Sequence, residues 1–324
     1  MKKSTLIAAV LFIALAGISF ATGSQDAGSR TEVTRLRMAT GGTTGNYYSF
    51  GTAVAQILSE KSNFAITVQS TGASVANIQL IDSGDVEIAI VQNDTMDYAY
   101  RGVESFNGQK YSSFSTMVTV YAEVCQIVAS ASSGIKTVAD LKGKNVSVGD
   151  VGSGTEINAR HILDAYGITF NDIGKQNLGV GPSADALRDN KIDAFFFTSA
   201  APAAGITDVA TAKDIVLVEV DDAHATQLKA KYPFYAQYSI PAATYRGQAA
   251  AVKSVSIKAT FIVSNKLSTD TVYNLTKALF EKKAQIEMNH AKGKEFTLAS
   301  AVEGVSVPFH PGAEKYLKEV GALK

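Results

Sequence analysis

"MATGGTTGNYYSF" (Met38–Phe50) leaves an apolar segment, passes through glycines and threonines, and reaches two adjacent tyrosines. Gly permits positive φ and close backbone approach, while Thr and Asn suit loops and helix starts. The stretch therefore reads as strand, loop and helix. A helix start carries unpaired N–H groups and a partial positive charge. A Gly-rich loop feeding one makes a shaped place for an anion, a phosphate or a carboxylate.

The flanking sequence extends this plan. "LRMAT", "FAITVQS" and "VEIAIVQ" predict strands, and "NYYSFGTAVAQILSEKS" and "SVANIQLIDSG" predict amphipathic helices. Strands alternating with helices of this length imply an α/β fold with a mainly parallel sheet. The second part of the chain repeats the order. "KNVSVGDVGSGTEINARHILDAYG" is again strand, Gly/Ser loop and helix, and "SADALRDNKIDAFFFTS" matches "VANIQLIDSGDVEIAIVQN". Aligning Gly84 with Asn190 sets Val86-Glu87 opposite Ile192-Asp193. Two similar lobes would thus turn two anion-friendly helix starts towards one cleft. The long β-rich run Thr116–Ser130 predicts one crossing between lobes near residues 120–126, and extended chain predicts another near 235–246. The expected division is residues 31–121 and 241–324 in the first lobe and 122–240 in the second. A mostly helical tail from Ser268 closes the first lobe, with "TVYNLTKALFEKKAQIEM" its clearest amphipathic piece.

"MKKSTLIAAVLFIALAGISFATGSQ" opens the chain with two lysines, an apolar run from Leu6 to Phe20, and small residues around Ala21. That is the layout of a secretory signal peptide over residues 1–21. The run falls short of the roughly 20 apolar residues that span a bilayer. A periplasmic or other extracytoplasmic location is the expectation. The 324 residues carry 30 basic and 30 acidic side chains with no basic stripe, which argues against nucleic acid. Cys125, the single cysteine, lies in the apolar run "YAEVCQIVAS" and reads as a buried small hydrophobe.

Catalytic and cofactor signatures are missing. The four histidines have no zinc-ligand spacing, and neither a G-x-S-x-G elbow nor a P-loop occurs. "GDVGSG" (Gly149–Gly154) has the wrong glycine spacing for a dinucleotide. No cofactor, no metal and no enzymatic activity are expected. An exported enzyme on a small carboxylate would have to draw its base from Glu123, Asp94 or Glu156; a solute-binding sensor or surface antigen is the other alternative.

Binding remains. Ligands of open α/β sheets sit beyond the carboxyl ends of strands, and the hydroxyl-rich turns lie there. Candidates in the first lobe are Thr43, Gly45, Asn46 and Tyr47, then Ser70, Thr71 and Ala73 in "QSTGAS", and Gln92 and Asp94 in "VQND". In the second lobe they are Ser153, Thr155 and Glu156, with Phe197 and Thr198 at the end of "AFFFTS". One of Tyr47 and Tyr48 should face the cleft and the other the core. Arg160 is the nearest candidate cation.

Together "ATGGTTGNYYSFG", "STGASVANIQLIDSGDVEIAIVQND", "VYAEVCQIVA", "DLKGKNVSVGDVGSGTEINARHIL", "NKIDAFFF" and "YPFYAQYSIPAATYRGQ" resemble the TAXI family of solute-binding receptors. The likeness covers about residues 33–322 in the expected order. It implies a two-lobed periplasmic-binding-protein fold, type II-like, that closes on a small carboxylate such as glutamate or glutamine. It also implies delivery to a tripartite ATP-independent (TRAP) membrane permease; a monomeric receptor is expected. The candidate positions above are those that match, apart from Glu123, Phe197 and Thr198, which come from the residues themselves. Two departures stand out: Phe50 replaces or follows a missing Pro, and "AEVCQ" lacks a Pro before its Glu. With acids beside its turns, the cleft is expected to favour an amino acid over a dicarboxylate. Bending is expected near Tyr121–Glu123 and Tyr238–Pro241.

Overall fold

The computed structural model describes residues 33–324, so the leader assigned to residues 1–21 lies outside the described region. Each β-branched or aromatic run ends at a polar turn, and each following amphipathic run folds back as a helix over it. The chain runs β1 (Thr34–Ala39), α1 (Asn46–Lys61), β2 (Phe64–Gln69), α2 (Ser74–Ser83), β3 (Ile88–Gln92) and α3 (Asn93–Arg101). A long strand β4 (Phe114–Ser130) leads to β5 (Asn145–Ser147), α4 (Gly154–Ala165), β6 (Gly174–Gln176), α5 (Val180–Arg188) and β7 (Ala194–Ser199). Then come α6 (Ala204–Ala212), β8 (Ile215–Leu217), α7 (Asp222–Lys231), β9 (Ala236–Ile240) and the long β10 (Val252–Ser264). The tail holds α8 (Thr269–Glu281), α9 (Lys283–Asn289) and α10 (Pro311–Glu319). The amphipathic stretch predicted there is thus divided at Lys282.

The strands form a sheet in the order β2-β1-β3-β10-β4-β7-β5-β6, with β9 on β10 and β8 on β4. It reads the same from either end: a parallel trio with its first strand in the middle, then a long antiparallel neighbour. The expected mainly parallel sheet is therefore corrected to a mixed one. Both trios point their carboxyl ends into one gap. A strand leaving one half must then run against the strands of the half it enters, as β4 and β10 do.

Matching bonds underlie the likeness of the halves. At the start of β3, Glu87 N–H donates to the Arg37 carbonyl and Glu87 Oε2 accepts from Arg37 N–H at 2.8 Å. At the start of β7, Asp193 N–H donates to the Asn145 carbonyl and Asp193 Oδ2 accepts from Asn145 N–H at 2.8 Å. Their own carbonyls accept from Ser264 on β10 and Ser130 on β4. The preceding turns place Gly84 (φ 83°) and Asn190 (φ 58°) in the left-handed region that ends a helix. These are the positions paired in the sequence alignment.

Met38, Phe50, Leu58 and Phe261 pack with Leu275, Leu279 and Leu317 of the tail helices, which seals the first half. Val128, Leu187, Phe195, Ile206 and Val209 form a separate core in the second. Cys125 is buried as expected, beside Thr198, and burial pushes its thiol up to about 12. Among the described residues no helix is long and apolar enough to cross a membrane.

Candidate functional site

Helix starts show where a ligand would be met. Away from the gap, α7, α8 and α10 are capped by side chains of Asp221, Ser268 and His310, whereas α9 begins at Lys282 with none. At the gap, α1, α2 and α5 begin at Gly45, Ala73 and Gly179 with no side-chain cap. Helix starts of this kind carry N–H groups without intrahelical partners; here Val75 N–H already donates to the Gly152 carbonyl and the Gly179 N–H faces Asp150. Ala73 also holds φ 69°, a conformation a non-glycine residue adopts at a cost of order 1–3 kcal/mol and mostly at functional sites. The fourth start, α4, is capped by Ser153 Oγ, which accepts from Glu156 N–H.

These starts and the ends of β3, β5 and β7 enclose a cleft. From the first half come Gly41, Gly42, Gly45, Asn46, Tyr47, Ala73, Ser74 and Gln92, with Glu123 on β4. The second half supplies Gly149, Asp150, Ser153, Gly154, Thr155, Leu178, Gly179 and Val180, and the stretch Phe196–Ser199. The space is about 60 Å³, small beside a cavity of about 150 Å³ that takes a benzene. The halves are closed on each other, and a larger solute needs them to part.

Polar contacts cross the gap. Asn46 Nδ2 donates to Ser199 Oγ at 3.1 Å and to the Ala200 carbonyl at 2.9 Å. Val75 N–H donates to the Gly152 carbonyl. Gly154 lies so close to Gln92 that a Cβ there would stand 1.9 Å from its Oε1. Inside, Tyr47 O–H donates to Glu123 Oε2 at 2.6 Å, and both residues are buried. Burial drives the Glu123 carboxyl well above the usual range; Tyr47 opposes this and the charge of Asp94 adds to it. Asp150, half-buried, is likewise raised by burial and opposed by the Gly179 N–H. No Arg, Lys or His lines the cleft among the described residues.

Of the sequence candidates, the structure gathers Gly45, Asn46, Tyr47, Ala73, Gln92, Glu123, Ser153, Thr155, Phe197 and Thr198 around the cleft. Thr43, Ser70, Thr71, Asp94 and Glu156 do not line it. Thr43 is exposed on the outer side of its loop. Ser70 and Thr71 hold that loop instead, donating to the Gly41 and Thr40 carbonyls. Asp94 turns away because α3 starts one residue before it. Its carboxylate accepts from Thr95 N–H and, at 2.9 Å, from Asn158 Nδ2 of the opposite half. Glu156 braces the "GDVGSG" loop by accepting from Gly152 N–H and Asn177 Nδ2. Tyr47 faces the cleft; Tyr48 is half-buried and does not line it. Arg160 is occupied by Glu104 and Ser105.

Sequence reasoning missed Gly41, Asp150, Gly179 and Val180, while Ser74 and Ser199 close turns that it had singled out. Asp150 sits one residue into a loop already singled out. Gly179 and Val180 were hidden because α5 was read from Ser183, although Pro182 is a first-turn signal.

The fold is similar to that of a periplasmic transporter structure, at 14% identity over 90% of this chain and 93% of that one, with a TM-score of 0.55. A Listeria monocytogenes protein assigned to an L-cystine ABC transporter matches at 15% identity over 82% of this chain and 98% of that one, TM-score 0.52. A protein of Bordetella bronchiseptica RB50 matches at 15% identity over 90% of each chain, TM-score 0.51. The architecture is accordingly the two-lobed periplasmic-binding-protein fold, with its cleft between the lobes. Residues 38–321 match the NMT1-like family, so nearly all of the described chain is accounted for, and the protein belongs to that family.

Proposed function

We propose that this protein is an extracytoplasmic solute receptor that captures a small carboxylate and hands it to a TRAP-type membrane permease. The carboxylate is an amino acid of the glutamate or glutamine kind. One observation carries the reading: the starts of α1, α2, α4 and α5 converge on a single cleft, and those of α1 and α2 carry no side-chain cap. Uncapped N–H groups and hydroxyls at helix starts meet a carboxylate without a basic side chain. Membership in the NMT1-like family and a periplasmic-binding fold support the receptor role, and the TAXI-like motifs support the TRAP partner.

In this reading the solute binds first to the α1 and α2 starts, and the second lobe swings in with Thr155 and Phe197. Bending falls on the long strands that join the lobes. The ladder between β4 and β10 slips by one residue between Lys258 and Thr260, opposite Val120–Tyr121, and such a bulge bends a strand locally. Isothermal titration of ligand-stripped protein against amino acids, dicarboxylates and sugars tests the proposal. Carboxylate-specific binding that weakens at least tenfold in Tyr47→Ala and Thr155→Ala is expected. Unchanged affinity in both variants would put the site elsewhere.

A further inference from the structure

We propose that Asp150 receives the ammonium of the solute, making the cleft selective for a zwitterionic amino acid with an uncharged side chain. This rests on the receptor reading and narrows it. The cleft presents two carboxyl groups, Glu123 and Asp150, and no basic side chain among its described lining. They are not equivalent. Glu123 is sealed at 1% exposure and already accepts the Tyr47 hydroxyl proton. Asp150 is half-buried on the second-half face of the cleft and makes no ion pair with any described residue.

Its position is shaped by close packing. Asp150 follows β5 in the loop before α4, and its Oδ2 would stand 2.8 Å from a Cβ at Gly179. Only a residue without a side chain lets the carboxylate lie against the α5 start. The carboxylate of an α-amino acid held at the α1 and α2 starts leaves its ammonium needing an acceptor. Asp150, approaching with the second lobe, supplies both the hydrogen bond and the charge. A second carboxylate on the ligand would meet the Asp150 carboxylate and no cation, which narrows the glutamate-or-glutamine class to amino acids with uncharged side chains. The structural alternative is that Asp150 only caps α5 through the Gly179 N–H. Asn would preserve that acceptor and remove only the charge.

The experiment is calorimetric titration of wild-type protein and Asp150→Asn at pH 7.5. The probes are L-glutamine, L-leucine, L-serine, L-glutamate, glutarate and the deaminated acid of whichever amino acid binds tightest. The expected result is tightest binding by an uncharged-side-chain amino acid, at least tenfold weaker in Asp150→Asn, with the deaminated acid weak and equally so in both proteins. Equal binding of the amino acid by Asp150→Asn, or preference for glutamate or glutarate, overturns the inference and leaves the receptor reading standing. Binding of no probe overturns both. A thermal midpoint of ligand-free Asp150→Asn within a degree or two of wild type separates lost charge from lost structure.

Discussion

Glu123 and Gly154 carry two predictions at the scale of single residues. Burial raises the Glu123 carboxyl above its unfolded value, so the folded state binds the extra proton. Stability from this group is fully present below the ordinary carboxylate range and is lost as pH rises from there towards the raised folded value. Glu123→Gln keeps an acceptor for Tyr47 and cannot ionise. Its stability relative to wild type should therefore rise by about 1.4 kcal/mol per pH unit within that window. Denaturant melts at pH 5 and pH 8 measure it, and a pH-independent difference would contradict the assignment. Asp94, raised in the same direction by burial, is present in both proteins, so the comparison reads Glu123 together with its coupling to Asp94. Gly154→Ala drives a methyl into Gln92 at the closing seam. Solute affinity should fall at least tenfold, about 1.4 kcal/mol, with unchanged secondary structure by circular dichroism. An unchanged dissociation constant would mean that the seam does not form when solute is bound. At this scale the sequence was readable where residue type alone constrained the backbone, as at Gly84 and Asn190, whereas none of Gly41, Gly42 and Gly45 takes up the positive φ that their loop permits. It failed for Asp94, since a side chain's direction at a strand end depends on where the next helix begins.

Two helix-start residues, one away from the cleft and one lining it, yield a paired prediction. Ser268 caps α8 by accepting from Thr271 N–H at 3.1 Å, far from the cleft lining. Ser268→Ala should cost about 1 kcal/mol of stability and leave affinity untouched. Thr155 in the first turn of α4 accepts from Thr198 N–H at 3.2 Å and lines the cleft. Thr155→Ala should weaken affinity. Thermal melts and titration on both variants check the contrast, and a loss of affinity in Ser268→Ala would erase it. The strands and helices of the first half were legible because "LRMAT" and "VEIAIVQ" are separated by helical stretches of the right period. Two features were not. The antiparallel course of β4 and β10 follows from the facing arrangement of the trios, which no local pattern records. The break at Lys282 falls within an unbroken amphipathic pattern and has no marker such as Pro or Gly.

Viewed as a whole, the molecule is a twice-used plan joined by two long strands. Glu87 and Asp193, and Gly84 and Asn190, do the same work in their respective halves. The repeat was visible in the sequence as a shared order of elements, because turn residues and strand-opening acids are local features. The closeness of the two halves was not, since it depends on side chains such as Asn46 and Ser199 that are 153 residues apart. The central claim is that these halves close on a small carboxylate. Thermal unfolding of refolded, ligand-stripped protein, with and without each member of a panel of amino acids, dicarboxylates and sugars, tests it most directly. Saturation at about a thousand times Kd adds about 4 kcal/mol, several degrees or more for a chain of this size. A rise confined to amino-acid carboxylates is the predicted result; a midpoint unmoved by every carboxylate would contradict the account.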